Sequence, residues 1–131
     1  MRIHHFALYT NDLEKIKHFY ETYFNASANS GYHNVITGLK TYFLSFEDDT
    51  RLEIMTRPQM ESQNNAPVHL GYIHLAMSVG NSEAVDDLTA RLEKDGYTIL
   101  SRPRTTGDGY YESCILDPEG NQIELCASEN E

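Results

Sequence analysis

Two histidines and two glutamates recur at nearly equal intervals along the chain. His5 opens the apolar segment His5-Phe6-Ala7-Leu8-Tyr9-Thr10-Asn11, and His74 opens His74-Leu75-Ala76-Met77-Ser78-Val79-Gly80, 69 residues later. Glu53 is clamped between Leu52 and Ile54, and Glu124 between Ile123 and Leu125, 71 residues later. Two imidazoles and two carboxylates form a mixed nitrogen and oxygen donor set. Such a set suits a borderline divalent ion such as Ni, Zn, Mn, Co or Fe(II), with water filling the open positions. Each residue alone has an ordinary explanation, because a histidine among apolar neighbours is commonly a satisfied core or surface side chain. A glutamate in an alternating strand is equally often its solvated face. The same two residue types in the same two segments of both halves favour a metal site.

The elements that must position these residues also repeat. After each histidine segment comes a helix. Asn11 is the expected cap of the first, with Glu14 completing a capping box, and Leu13, Ile16, Tyr20 and Tyr23 recur at helical spacing. Asn81 or Ser82 starts the second, with Val85, Leu88 and Leu92 as a narrower stripe and Gly96 as its terminator. Each helix is followed by a β-rich hairpin. Segments 41–46 and 51–56 flank Glu47-Asp48-Asp49-Thr50, while 110–116 and 122–127 flank Asp117-Pro118-Glu119-Gly120-Asn121, where Pro sets φ and Gly or Asn permits the turn. Further strands are expected at 35–37 and 98–101. Each half therefore reads βαβββ, module 1 over about 1–60 and module 2 over about 70–128, with a Gln-, Asn- and Pro-bearing linker over about 58–69. Related by a pseudo-twofold, equivalent side chains of two such modules could converge on one cavity.

Composition narrows the partners. The chain has 131 residues, enough for one domain and too few for a second of ordinary size. Ten Lys and Arg against 20 Asp and Glu leave a net charge of −10, so nucleic acid and anionic lipid are not expected partners. No apolar run approaches a membrane span, and Met1-Arg2-Ile3-His4-His5-Phe6 carries no signal-peptide pattern, which gives a cytoplasmic expectation. Cys114 and Cys126 are too few for a disulfide scaffold and are expected as reduced thiols. By strand parity both could border the same cavity as Glu124.

The remaining polar residues read more plainly. By parity His4 points away from His5, His18 lies on the polar side of its helix, and His33 and His69 fall in loop-like sequence. Thr105-Thr106-Gly107-Asp108-Gly109 is a small polar loop without the Lys-Ser/Thr of a phosphate loop. Arg51, Arg57, Arg102 and Arg104 are the cations that could hold an anionic substrate.

With these motifs in view, the chain resembles the vicinal oxygen chelate superfamily of glyoxalase I, extradiol dioxygenases, methylmalonyl-CoA epimerase, and fosfomycin and bleomycin resistance proteins. The resemblance rests on His5-Phe6-Ala7-Leu8, Leu52-Glu53-Ile54, Tyr72-Ile73-His74-Leu75-Ala76-Met77-Ser78-Val79 and, most distinctively, Leu116-Asp117-Pro118-Glu119-Gly120-Asn121-Gln122-Ile123-Glu124-Leu125. It implies an α+β fold of two tandem βαβββ modules forming a curved, mostly antiparallel sheet around a metal cavity. It also implies one divalent metal per site, Ni or Zn favoured, on His5, Glu53, His74 and Glu124. The complete His-Glu-His-Glu set is similar to compact bacterial glyoxalase I, a lyase acting through a metal-stabilised enediolate, with Glu124 as the proton-transferring base and Glu53 opposite. The resemblance further implies a small substrate with vicinal oxygens, glutathione or another thiol as co-substrate, and a homodimer with its sites at the subunit interface. Tyr9 stands where glutathione-using relatives typically carry arginine, and Arg57 where some have asparagine. Tyr9, Arg57, Arg104 and Tyr110 are the candidate substrate contacts. The alternatives within the superfamily are an extradiol dioxygenase, a fosfomycin thiol transferase and a non-catalytic antibiotic-binding protein.

Overall fold

The computed structural model describes residues 1–62 and 66–128. The chain divides into two compact units, Met1–Asn64 and Asn65–Glu131. Residues 63–65, part of the expected linker, lie outside the described residues, and its other positions carry no helix or strand.

The first unit runs β1 (His5–Tyr9), α1 (Leu13–Phe24), β2 (Ser27–Ala28), β3 (Tyr32–His33), β4 (Lys40–Ser45) and β5 (Arg51–Thr56). Its sheet has the order β1-β5-β4-β2, with β3 also on β4. The second unit runs β6 (His74–Gly80), α2 (Ser82–Lys94), β7 (Ile99–Thr105), β8 (Tyr111–Leu116) and β9 (Gln122–Ala127), and its sheet has the order β6-β9-β8-β7. In each unit the opening strand lies parallel to the closing one, and the other pairings are antiparallel. The fold is mixed α+β, with two sheets and two helices and no closed barrel among the described residues.

Both helices form where local chemistry satisfies their ends. The first is capped by Asp12, whose side chain accepts from Lys15 N at 3.1 Å, so the cap falls one residue after the expected Asn11. Glu14 is thereby free of a capping box, and its carboxylate accepts from the Tyr42 hydroxyl at 2.7 Å. The buried stripe is Leu13, Ile16, Phe19, Tyr20 and Phe24. Tyr23, expected within it, is half-buried at the stripe's edge. The second helix is capped by Asn81, which accepts from Ala84 N at 2.8 Å. It ends as expected at Gly96, where a φ of +93° lets Tyr97 N return to Leu92 O at 3.0 Å. Val85, Thr89 and Leu92 face inward. The buried Thr89 hydroxyl donates to Val85 O at 2.6 Å and shares a 2.7 Å hydrogen bond with Ser113, so neither hydroxyl is left unpaired.

The strand expected at 35–37 is a turn. Asn34 Oδ1 accepts from Ile36 N and Thr37 N, while Gly38 N returns to Asn34 O, so the side chain and backbone of one asparagine satisfy the donors a strand would have used. Val35 and Ile36 are consequently exposed. Strands β5 and β9 carry the same burial alternation, with Leu52 and Ile54 in one and Ile123 and Leu125 in the other turned into the core.

Truncating a core anchor, Ile16→Ala or Leu92→Ala, should cost about 2–5 kcal/mol in chemical denaturation, since both side chains are fully buried. Asn81→Ala should cost about 1 kcal/mol in the same measurement.

Candidate functional site

The parallel pairing in each unit brings a histidine and a glutamate together. In the first, Glu53 lies opposite Ala7, two residues on from His5. Residues two apart on a strand share a face, so His5 and Glu53 are diagonal neighbours on the side turned away from Leu52 and Ile54. His5 Nε2 stands 3.7 Å from Glu53 Oε1. In the second, Glu124 lies opposite Ala76, two on from His74, and the corresponding distance is 3.0 Å. Side-chain exposures also match, at 36% and 19% for the first pair and 35% and 20% for the second. The two glutamates are thus partly sheltered, whereas both histidines are exposed.

What surrounds each pair differs. In the first unit Phe43 lies opposite Glu53 and presents its ring edgewise to His5, with centroids 5.4 Å apart. The Arg51 guanidinium lies 4.7 Å over the same ring. Arg51 Nη2 is 3.0 Å from His4 Nε2, and His4 Nδ1 is 2.7 Å from His5 Nδ1. Because guanidinium only donates, His4 Nε2 must accept, and neutral His4 then carries its proton on Nδ1, toward His5. Parity had sent His4 away from His5. Strand pairing begins only at His5, so alternation does not govern the residue before it.

In the second unit the neighbours are acids and thiols. Cys114 lies opposite Glu124 and Glu112 opposite Cys126, all on one face. Donor atoms of Glu112, Glu124 and Cys126 lie within 4.8 Å of one another, the closest gathering of three metal-type donors among the described residues. Cys126 Sγ donates to Glu112 Oε2 at 3.4 Å. Burial and that bond push the Cys126 thiol up to about 12, and burial, then the Glu124 charge, raises Cys114. Both shifts favour the protonated thiol over the thiolate. Burial also raises the Glu124 carboxyl, against the opposing pull of His74 and with a further upward contribution from Glu112. Sequence reasoning passed over Glu112. A simple register across the Asp117–Asn121 turn places it opposite Cys126, as observed, so strand parity was the signal that could have found it.

The candidate substrate contacts lie two in each unit. Tyr9 ends β1 opposite Met55, on the same face as His5 and half exposed. Arg57 follows the end of β5 and is exposed. Arg104 lies opposite Glu112, donates to its carbonyl at 3.3 Å and pulls down on the Glu124 carboxyl. Tyr110 immediately precedes β8 in the polar loop, where Tyr110 N donates to Thr106 Oγ1 at 3.2 Å and Thr106 N to Tyr110 O at 2.8 Å. That loop is a closed hairpin turn. Arg102 is fully engaged by Glu93, at 2.6 and 3.0 Å.

Comparison with known proteins places this geometry in a family. The family model described as Glyoxalase/Bleomycin resistance protein/Dioxygenase superfamily matches residues 2–125. An uncharacterized protein of Bacillus subtilis (strain 168), YqjT, is 28% identical over 131 residues, which cover 95% of this chain and 98% of that one. Among solved structures, a glyoxalase family protein from Enterococcus faecalis has a TM-score of 0.78 at 25% identity over 95% of this chain and 96% of its own. Glyoxalase I from Zea mays has a TM-score of 0.79 at 19% identity over 97% of this chain, which spans 44% of the maize chain. No described helix is long and apolar enough to cross a membrane. From the family match and the repeated strand pattern together, the chain belongs to the glyoxalase, bleomycin resistance protein and dioxygenase superfamily.

Proposed function

We propose that the chain is a metal-dependent lyase of the glyoxalase I type, with His5, Glu53, His74 and Glu124 as ligands of one divalent ion, Ni or Zn favoured. One observation carries the reading: a histidine and a glutamate occupy equivalent register positions in both units. The donor set fits such an ion. Two donors each about 2.1 Å from one ion, at angles between octahedral and tetrahedral, lie about 3.0–3.4 Å apart; the His74–Glu124 pair at 3.0 Å meets that spacing, and the His5–Glu53 pair at 3.7 Å is wider than it. When bound, the metal would act as a Lewis acid toward vicinal substrate oxygens.

The chain's own residues then divide the work. Glu124, whose burial already favours its protonated form, would take the proton from the carbon α to a carbonyl and return it to the neighbouring carbon. Glu53 would face the substrate from the other side. Phe43 and Ala7, beside Glu53, offer no competing acid, whereas Glu112, Cys114 and Cys126 adjoin Glu124. The net reaction would turn the hemithioacetal of methylglyoxal into a lactate thioester, with glutathione or another thiol as co-substrate. Tyr9, Arg57, Arg104 and Tyr110 remain the proposed substrate contacts. The two units would form a single domain, and a homodimer with sites at the subunit interface in the cytoplasm completes the reading.

Elemental analysis of protein equilibrated with Ni²⁺ or Zn²⁺ should show one equivalent per chain, lost in His74→Ala and in Glu53→Gln. Protein that takes up neither ion overturns the assignment. With metal present, Glu124→Gln should lower the rate of thioester formation from methylglyoxal and a thiol by about 10²–10⁴.

The same substitution has a second, opposite consequence. With the Glu124 carboxyl raised in the folded chain, folding retains a proton that the unfolded chain has released between the two values, so stability falls as pH rises through that window. Metal-free Glu124→Gln should therefore unfold at pH 8 with a midpoint equal to or above that of the parent, while losing the rise that metal gives the parent. A lower metal-free midpoint contradicts this account.

A further inference from the structure

We propose that Arg51 is an anion-recognising residue of the first unit's polar face, so that the substrate carries a carboxylate or similar anionic group beside its reacting centre. The inference rests on the small-molecule reading of that face and narrows the chemical class it takes.

Four arginines were open as anion holders, and the structure separates them. Arg102 is neutralised by Glu93 through two short bonds. Arg104 faces Glu112 across the β7–β8 ladder and acts on the Glu124 carboxyl. Arg57 lies beyond the end of β5 and is exposed. Arg51 alone of the four shares a sheet face with His5 and Glu53, being two residues before Glu53 and directly opposite His5.

Its guanidinium is held without being neutralised. Its Cζ lies 4.7 Å from the centroid of the Phe43 ring, and one nitrogen reaches His4 Nε2 at 3.0 Å. Among the described residues Arg51 has no ion pair with a carboxylate, although the chain carries 20 carboxylates against 10 Lys and Arg. A cation–π contact and one hydrogen bond orient an arginine while leaving most of its fork of donors, and its charge, for a ligand. The corresponding position of the second unit, opposite His74, is Gln122, so this cation is not part of what the two units share. A substrate meeting the first unit's pair therefore finds two features side by side: a carboxylate on Glu53, which repels anions, and a fixed cation next to it. That arrangement admits an anion in one orientation only, with its charged group toward Arg51.

The test uses the metal-free chain and two small probes, (methylthio)acetate and its neutral amide, with binding read from NMR chemical-shift titrations. The parent should prefer the anion. Arg51→Gln should lose that preference by about 10–100-fold, the range for a charge-assisted hydrogen bond. Arg51→Lys should recover only part of it, because ammonium lacks the planar fork. Arg102→Gln removes the same charge elsewhere and should change nothing. No preference in the parent, an unchanged preference in Arg51→Gln, or an equal loss in Arg102→Gln would each overturn the proposal. Circular dichroism melts confirm that the variants fold. Because no turnover is involved, failure of Arg51 and failure of the lyase reading are distinguishable. A chain that binds the anion through Arg51 but forms no thioester refutes the lyase alone. One that forms thioesters equally well from mercaptoacetate and 2-mercaptoethanol, unaffected by Arg51→Gln, refutes the role of Arg51 alone.

Discussion

Everything at the candidate site depends on the opening strand of each unit lying parallel to its closing strand. In an antiparallel arrangement His5 would run away from Glu53. Parallel pairing in this register keeps the two on one face, a diagonal step apart, and repeats the arrangement for His74 and Glu124. The register itself is fixed from the other side of the sheet. Leu52 and Ile54, like Ile123 and Leu125, must point into the core, and a slip of one residue would bury both glutamates and expose four apolar side chains. The hydrophobic effect thus sets the position of charged groups it never touches.

Much of this can be read from residues alone because the relevant signals are short-ranged. Alternation around Glu53 and Glu124 marks strand faces, and the Asp117-Pro118-Glu119-Gly120-Asn121 turn fixes one hairpin. Asn81 caps its helix and Gly96 ends the other end of it, each by local chemistry. The misses have equally local causes. Asp12 competes with Asn11 as a cap of equal quality, and only packing decides between them. Asn34 converts β-branched residues into a turn by bonding its own downstream backbone, which outweighs their strand propensity. His4 escaped because parity was applied one residue beyond the end of the ladder. Which of the four arginines is neutralised by a carboxylate depends on side-chain partners brought from other elements, as Glu93 of α2 is to Arg102, and that is a matter of tertiary structure.

The two units share a frame and differ in what they hang on it. At the positions flanking the acid, the first carries Arg51 and Phe43, a cation against an aromatic face. The second carries Gln122 and Cys114, with Glu112 and Cys126 completing an acidic, thiol-bearing patch. Repetition explains the pairs common to both, and divergence around them gives each half a separate electrostatic character.

The pairing of first strand with last also governs when the site can exist. His5 and Arg51 are 46 residues apart in the chain and His74 and Gln122 are 48 apart, so each His–Glu pair spans nearly its whole unit. Such contacts carry the largest loop-closure entropy in the unit and accumulate slowly, after the hairpins and helices have formed. During synthesis neither His–Glu pair can assemble until the closing strand of its unit has left the ribosome. Collapsed chains that lack the parallel ladder therefore present histidine and glutamate apart.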